Sequence, residues 1–253
     1  MNMKTKKTVI LTGATLDGIG EAILRKLNSE GWFVLGTYEK EQAEKAIRLE
    51  YELKSIELHQ VEHANRDSLR SFTKKISDRQ LSGLVNAQMF FQIENPDAFD
   101  HNLWDKSLAV NLSAPNFLFH ELKSKLLEGS SIVTITSTEG FTGSFGASAY
   151  AATKAAIHNL VKTHANTIGK RNVRVNAIAA GWIGGVMDTD EIFDMSKKIT
   201  PLGRLGSADE IANIVSFLLS PDSSFVNGSV IVADGGYSGV DTIAKHEFEQ
   251  SQK

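Results

Sequence analysis

Tyr150-Ala-Ala-Thr-Lys154 sets a phenol and an ammonium four residues apart. On a helix, that spacing puts both side chains on one face, one turn apart. A nearby ammonium favours the phenolate and draws a tyrosine pKa down from about 10. Tyr150 is therefore a candidate general acid/base, with Lys154 tuning it. Of the four tyrosines it alone has lysine four residues on; Tyr38, Tyr51 and Tyr237 are followed by Gln42, Ser55 and Asp241. A lone pair of this kind is more often a surface pair, so its weight depends on company. Ser137 ends an apolar run thirteen residues upstream, and Asn111 stands in Val110-Asn111-Leu112. Read singly, Ser137 is a capping serine and Asn111 a buried amide at a helix start.

A second constellation follows the first apolar run, where Val9-Ile10-Leu11 leads into TGATLDGIG at residues 12–20. Gly13, Gly18 and Gly20 allow a tight turn and a close approach of phosphate to a helix N-terminus. The spacing G-x4-G-x-G differs from the common dinucleotide fingerprint G-x-G-x-x-G. At the tip of the second run, Tyr38-Glu39-Lys40, an acidic residue would meet ribose hydroxyls and a basic one a 2′-phosphate. Glu39 and Asp17 would both repel a 2′-phosphate, while Lys40 can turn to solvent, so NAD is preferred over NADP. The competing reading makes Glu39 and Lys40 the start of a charged helix face. His59 and His63, four apart with no third ligand evident, read as a surface pair; no metal is expected.

These residues need a scaffold that alternates strands with helices. Apolar or β-branched runs occur at Thr8–Thr12, Trp32–Tyr38, Ser55–Gln60, Leu81–Ala87, Ser131–Ser137, Val173–Ala179 and Ser229–Ala233. Most are continuous rather than alternating, as in buried parallel strands. Helical stretches fall near 18–30, 40–50, 65–77, 99–127, 150–168 and 207–219. The pattern predicts an α/β fold: a Rossmann-type, doubly wound, mainly seven-stranded parallel sheet with helices on both faces. No linker or repeat divides residues 1–253, so one domain is expected, with 241–253 a polar, frayed tail.

The 253 residues are 42% hydrophobic and 23% charged with net charge −3, which gives no electrostatic case for nucleic acid or an anionic membrane. The absence of cysteine excludes thiolate catalysis and disulfides. Apolar runs are too short to span a bilayer, and the basic start MNMKTKK lacks the apolar core of a signal peptide. A cytoplasmic location is the expectation.

Together these residues resemble the short-chain dehydrogenase/reductase family over nearly the whole chain. Tyr150 and Lys154 match its Y-x-x-x-K motif, Ser137 its catalytic serine and Asn111 its catalytic asparagine. Asn86-Ala87 matches the core of its N-N-A-G motif, and the P-L-G-R-L-G at 201–206 and V-A-D-G-G at 232–236 match later landmarks. The resemblance implies an NAD(P)-dependent oxidoreductase acting on a carbonyl/secondary alcohol pair. Tyr150 would exchange a proton with the substrate oxygen and Ser137 would orient that oxygen. Lys154 would lower the Tyr150 pKa and hold the nicotinamide ribose, and Asn111 would anchor a proton-relaying water. Cofactor contacts would come from Gly13, Thr15, Asp17, Gly18, Ile19 and Gly20 in the first loop. Tyr38, Glu39, Gln60 and Val61 would follow at the next two strand tips, then Asn86, Ala87, Gly181 and Ile183, together with Tyr150 and Lys154. A homodimer or homotetramer is implied, built on helices near 99–127 and 150–168.

Five departures from the family pattern touch the cofactor cradle. One extra residue lies between Gly13 and Gly18. Val85 and Gln88 replace the outer residues of N-N-A-G. Gln60 stands for an acidic residue, although an amide still hydrogen-bonds there. Ala180 replaces the proline before Gly181, and Gly184-Gly185 displaces a nearby threonine. The substrate wall is assigned to Gln88, Glu139, Phe145, Trp182 and Met187, within segments apolar enough for a small or medium ketone or alcohol. Two alternatives stand beside this reading: a 3-oxoacyl thioester reductase, and a degenerate, non-catalytic member serving as a binding or scaffold subunit.

Overall fold

The computed structural model describes residues 7–185 and 188–252. Seven strands form one sheet: β1 (Thr8–Thr12), β2 (Phe33–Tyr38), β3 (Ile56–Gln60), β4 (Leu81–Asn86), β5 (Leu126–Ser137), β6 (Arg174–Ala180) and β7 (Val230–Ala233). Their order is β3-β2-β1-β4-β5-β6-β7, and every neighbouring pair is parallel. The chain winds outward from β1 to β3, then returns across β1 to β4. The carboxyl ends of β1 and β4 thus frame a topological switch point, the place where such sheets bind ligands. Register lines up those ends, pairing Thr12 with Asn86, Tyr38 with Gln60, and Ser137 with Ala180.

The apolar runs alternate in the face they present, and that divides the core in two. Val9 and Leu11 pack on one face with α1 (Ile19–Ser29), α2 (Ala43–Glu52) and α9 (Ala208–Leu219). Ile10 packs on the other with α3 (Arg66–Lys75), α5 (Ala114–Leu122) and α7 (Ser148–Ile168). Both faces are covered, as the unbroken apolar runs required.

Several expected boundaries move. The single helix expected over 99–127 is α4 (His101–Leu108), a π turn at Ala109–Ser113, α5, and a 3-10 turn. Pro115 has no N–H, so the regular bond to the Asn111 carbonyl cannot form; the chain widens and the Ala114 N–H reaches the Ala109 carbonyl. β5 begins at Leu126, five residues before its apolar run, because Leu126 pairs with Leu81 ahead of an irregularity in the ladder. Two helices had no apolar signal. They are the short α6 (Glu139–Thr142) and α8 (Asp190–Ile199), the latter capped by the Thr189 side chain with acidic residues first and lysines last. The tail expected to fray forms the exposed helix α10 (Thr242–Ser251), which Asp241 caps through the Ile243 and Ala244 N–H groups. Among the described residues, no helix is long and apolar enough to cross a membrane.

Candidate active site

β5 ends at Ser137, and α7 runs back beside it, so Ser137, Tyr150 and Lys154 meet at the carboxyl edge of the sheet. The Ser137 hydroxyl stands close enough to the Tyr150 phenol to favour its ionised form. Its Oγ also accepts the Glu139 N–H at 3.2 Å. Lys154 is only 3% exposed; its Nζ donates to the Ile135 carbonyl at 3.3 Å and lies 5.1 Å from the Tyr150 ring centroid. Burial with so little compensation lowers the ammonium to about 8.

The expected lowering of the Tyr150 pKa by Lys154 is not what the free protein shows. Burial pushes the phenol up to about 12, the Glu139 charge adds to that, and the Ser137 hydrogen bond only partly offsets it. Lys154 sits over the ring face, bonded to main chain, rather than at the phenol oxygen. Glu139 is itself raised by burial, opposed by a hydrogen bond with Ser144.

Asn111, in the π turn and 2% exposed, uses its whole side chain on one residue. Its Oδ1 accepts the Phe90 N–H at 2.7 Å and its Nδ2 donates to the Phe90 carbonyl at 2.8 Å. This pins the segment after β4, whose Phe91 meets the Tyr150 ring edge-on at 5.1 Å between centroids. Of the other assigned substrate residues, Phe145 is fully exposed and Trp182 is 47% exposed, so neither belongs to an enclosed wall in the free protein. Gln88 follows β4 beside Gly13, and Met187 lies outside the described residues.

The glycine loop absorbs its extra residue in a wide turn. The Leu16 N–H donates to the Gly13 carbonyl at 3.1 Å, and the Glu21 N–H reaches back five residues to the Leu16 carbonyl at 3.0 Å. Gly13 and Gly18 adopt φ of 67° and 74°, which favour glycine. Gly20 has no room for a Cβ, which would stand 2.1 Å from the Gly13 carbonyl oxygen. Thr15 is buried, its hydroxyl donating to Gln42 at 2.6 Å; Ile19 opens α1. Asp17 projects to solvent and pairs with Lys45 at 2.5 Å, so its charge is already partly neutralised.

At the neighbouring tips, Glu39 Oε1 accepts both the His63 backbone N–H at 3.1 Å and, at 3.0 Å, its Nδ1. Burial pushes the Glu39 carboxyl up, but these bonds outweigh it and hold it below its usual range. The Val61 N–H pairs with the Tyr38 carbonyl at 2.9 Å, while Gln60 is exposed. Past β6, the Gly181 N–H meets the Ala233 carbonyl at 2.9 Å and Ile183 bridges to Gly206.

The expected surface pair of histidines is not one. His59 and His63 are 6% and 2% exposed, each held against a carboxylate: His59 by Glu57 at 3.1 Å and His63 by Glu39. Leu58 and His59 are both buried at the end of β3, and His63, in the turn after it, reaches the buried Thr37 hydroxyl of β2 at 3.0 Å. Among the described residues no cluster of metal-ligating side chains appears.

Sequence reasoning also missed Glu94. Its Oε2 accepts the Ser148 hydroxyl at 2.6 Å and its Oε1 the Ala149 N–H at 2.7 Å, which caps the helix that carries Tyr150. A cap supplied from more than fifty residues away leaves no local signal.

The residues present fit a dinucleotide. The N-terminus of α1 carries no side-chain cap, since Gly18 occupies that position. Asn86 donates to Thr134 at 3.1 Å, yet its Oδ1 is buried with no protein partner. Both features lie at the switch point.

Comparison with known proteins agrees. Residues 13–238 match the family model described as enoyl-(acyl carrier protein) reductase. The chain is 32% identical to 3-oxoacyl-[acyl-carrier-protein] reductase FabG of Aquifex aeolicus, over 93% of this chain and 99% of that one. It is 33% identical to Nodulation protein G of Rhizobium sp., over 92% and 97%. Among solved structures, BdcA in complex with NADPH superposes with TM-score 0.84 at 28% identity, over 92% of this chain and 95% of that one. A short-chain dehydrogenase of Burkholderia cenocepacia in complex with NADP does so with TM-score 0.86 at 27% identity, over 92% and 98%. With a family model spanning most of its length and the Ser137–Tyr150–Lys154 arrangement at the carboxyl edge, this chain belongs to the short-chain dehydrogenase/reductase family.

Proposed function

We propose that the protein interconverts a carbonyl and a secondary alcohol with a nicotinamide cofactor, NAD(H) in preference to NADP(H). The observation that carries this is the meeting of Ser137, Tyr150 and Lys154 at the end of β5, with Lys154 buried and 5.1 Å from the Tyr150 ring centroid. When bound, the nicotinamide supplies or accepts the hydride. Residues of the glycine loop, with Glu39, Asn86 and Lys154, would hold that cofactor.

The chain's own groups handle the proton. Tyr150, raised to about 12, stays protonated at neutral pH and is the acid that carbonyl reduction needs. Ser137 Oγ accepts the Glu139 N–H, so its own hydrogen, directed toward the Tyr150 phenol in the free protein, can turn to the substrate oxygen. As Tyr150 gives up its proton, the Lys154 ammonium stabilises the resulting phenolate. Asn111 fixes the Phe90 segment that flanks Tyr150. The exposed Phe145 and Trp182 offer an apolar rim to a small or medium ketone.

Support for NAD(H) comes from Glu39. It is held ionised, and both His63 bonds fall on Oε1, which leaves Oε2 for ribose hydroxyls. Asp17 contributes less than its sequence position suggests, because Lys45 pairs with it. The NADPH and NADP bound to the two solved relatives make the opposite preference the outcome to test against. Reduction of a 3-oxoacyl thioester is the second reading, favoured by the FabG relative. A homodimer or homotetramer through α5 and α7 accompanies either reading and is checked by light scattering.

Titration with NADH and NADPH is the first test, followed by ketone and 3-oxoacyl thioester substrates. Tyr150→Phe is expected to lower turnover by at least about 100-fold while leaving NADH affinity within twofold. Binding of neither nucleotide at millimolar concentration would overturn the proposal in favour of a non-catalytic role.

A further inference from the structure

We propose that His63 is a positioning residue for cofactor discrimination, setting the Glu39 carboxylate and coupling it through Thr37 to the first glycine of the phosphate loop. This rests on the reading that Glu39 faces the adenosine ribose.

The distances trace a buried chain of hydrogen-bonding groups. His63 Nδ1 is 3.0 Å from Glu39 Oε1, and an ionised carboxylate can only accept, so Nδ1 carries the proton. With the proton on Nδ1, the other ring nitrogen, Nε2, faces inward. Its neighbour at 3.0 Å is Thr37 Oγ1. The Thr37 oxygen in turn accepts the Gly13 N–H at 3.2 Å. Thr37 is fully buried and His63 is 2% exposed, so neither can exchange these bonds for water without opening the fold. Lys106 adds a favourable charge toward Glu39 but makes no part of the chain.

The arrangement links two regions that a dinucleotide must satisfy together. Glu39 lies just past the tip of β2, and Gly13 opens the loop after β1. His63, from the turn after β3, bonds to the first and reaches the second through one hydroxyl. Because the backbone N–H of His63 shares Oε1 with the ring, two bonds from His63 tether the carboxylate at that oxygen. A free Glu39 could swing outward and admit a 2′-phosphate; a tethered one keeps its charge in place.

The test compares variants by calorimetric titration of NADH and NADPH, with no substrate present. Asparagine places an amide N–H where Nδ1 stands, whereas glutamine reaches to the position of Nε2. The expectation is that His63→Asn keeps the wild-type ratio of the two dissociation constants. His63→Gln and His63→Leu should lower the preference for NADH about tenfold. In a Glu39→Gln background, His63→Leu should change the ratio by less than twofold further. Identical behaviour of the Asn and Gln variants, or full additivity with Glu39→Gln, would overturn the role of His63. Should His63→Leu not fold, the Asn and Gln pair alone decides. An unchanged ratio in Glu39→Gln itself would instead overturn the ribose reading of Glu39, and His63 would fall with it.

Discussion

Lys154 sits 3% exposed with the Ile135 carbonyl as the hydrogen-bond acceptor for its ammonium. Burial lowers its pKa from 10.5 to about 8, so between those values the unfolded chain binds more protons than the native one. The native state is therefore penalised in full below pH 8, and the penalty fades as pH rises toward 10.5. Replacing Lys154 with Met is expected to stabilise the protein at pH 7 by about 2–3 kcal/mol, measured by urea unfolding, with no gain above about pH 10.5. The same variant should lose turnover, which makes Lys154 a residue kept for chemistry at the expense of stability. In the wild type, carbonyl reduction should fall as pH rises past about 8, where Lys154 loses the charge that stabilises the phenolate. The Tyr150–Lys154 pairing was legible because helical spacing is a local property. The direction of the Tyr150 shift was not, because it depends on burial by Ser137, Glu139 and Phe91, which only tertiary structure brings near. His63 was misread for the same reason: its partners Glu39 and Thr37 lie 24 and 26 residues away.

At the level of elements, the placement of α7 decides where Tyr150 stands. Its first turn is tied down by Glu94 rather than by a residue of its own, since Ala147 at the cap position offers no side-chain bond. Glu94→Ala should cost about 1–2 kcal/mol of stability, the range of a lost helix cap. It should also lower kcat more than it weakens cofactor binding, as steady-state kinetics beside a titration would show. The strands were legible in the sequence because continuous apolar runs mark buried parallel strands. The helix over 99–127 was legible in extent but not in its break, because periodicity records which face is buried and not how the backbone bonds. Pro115 was the available sign: without its N–H the turn at Asn111 opens. α8 was missed because its order shows in charges at its two ends rather than in an apolar stripe.

Across the whole molecule, the switch point is held together by Thr12. This buried hydroxyl accepts the N–H groups of Ala87 and Gln88, both at 3.1 Å, and so joins the ends of β1 and β4. Thr12→Val keeps the shape but strands two donors, with an expected cost of about 2 kcal/mol in denaturant unfolding. Cofactor affinity should fall with it, since Gly13 and Asn86 flank the same junction. The doubly wound plan was legible from strand–helix alternation, whereas the strand order was not, because register is set between segments far apart in the chain. That order bears on how the protein is made. β1 is made before both of its neighbours in the sheet, β2 and β4, and Thr12 finds its partner only at Asn86. At ordinary rates of synthesis, roughly 4–15 s separate the two. Through that interval Val9-Ile10-Leu11, buried in the finished sheet, has an open edge and an unshielded apolar surface, so the centre of the sheet is open to wrong pairing until β4 has been made.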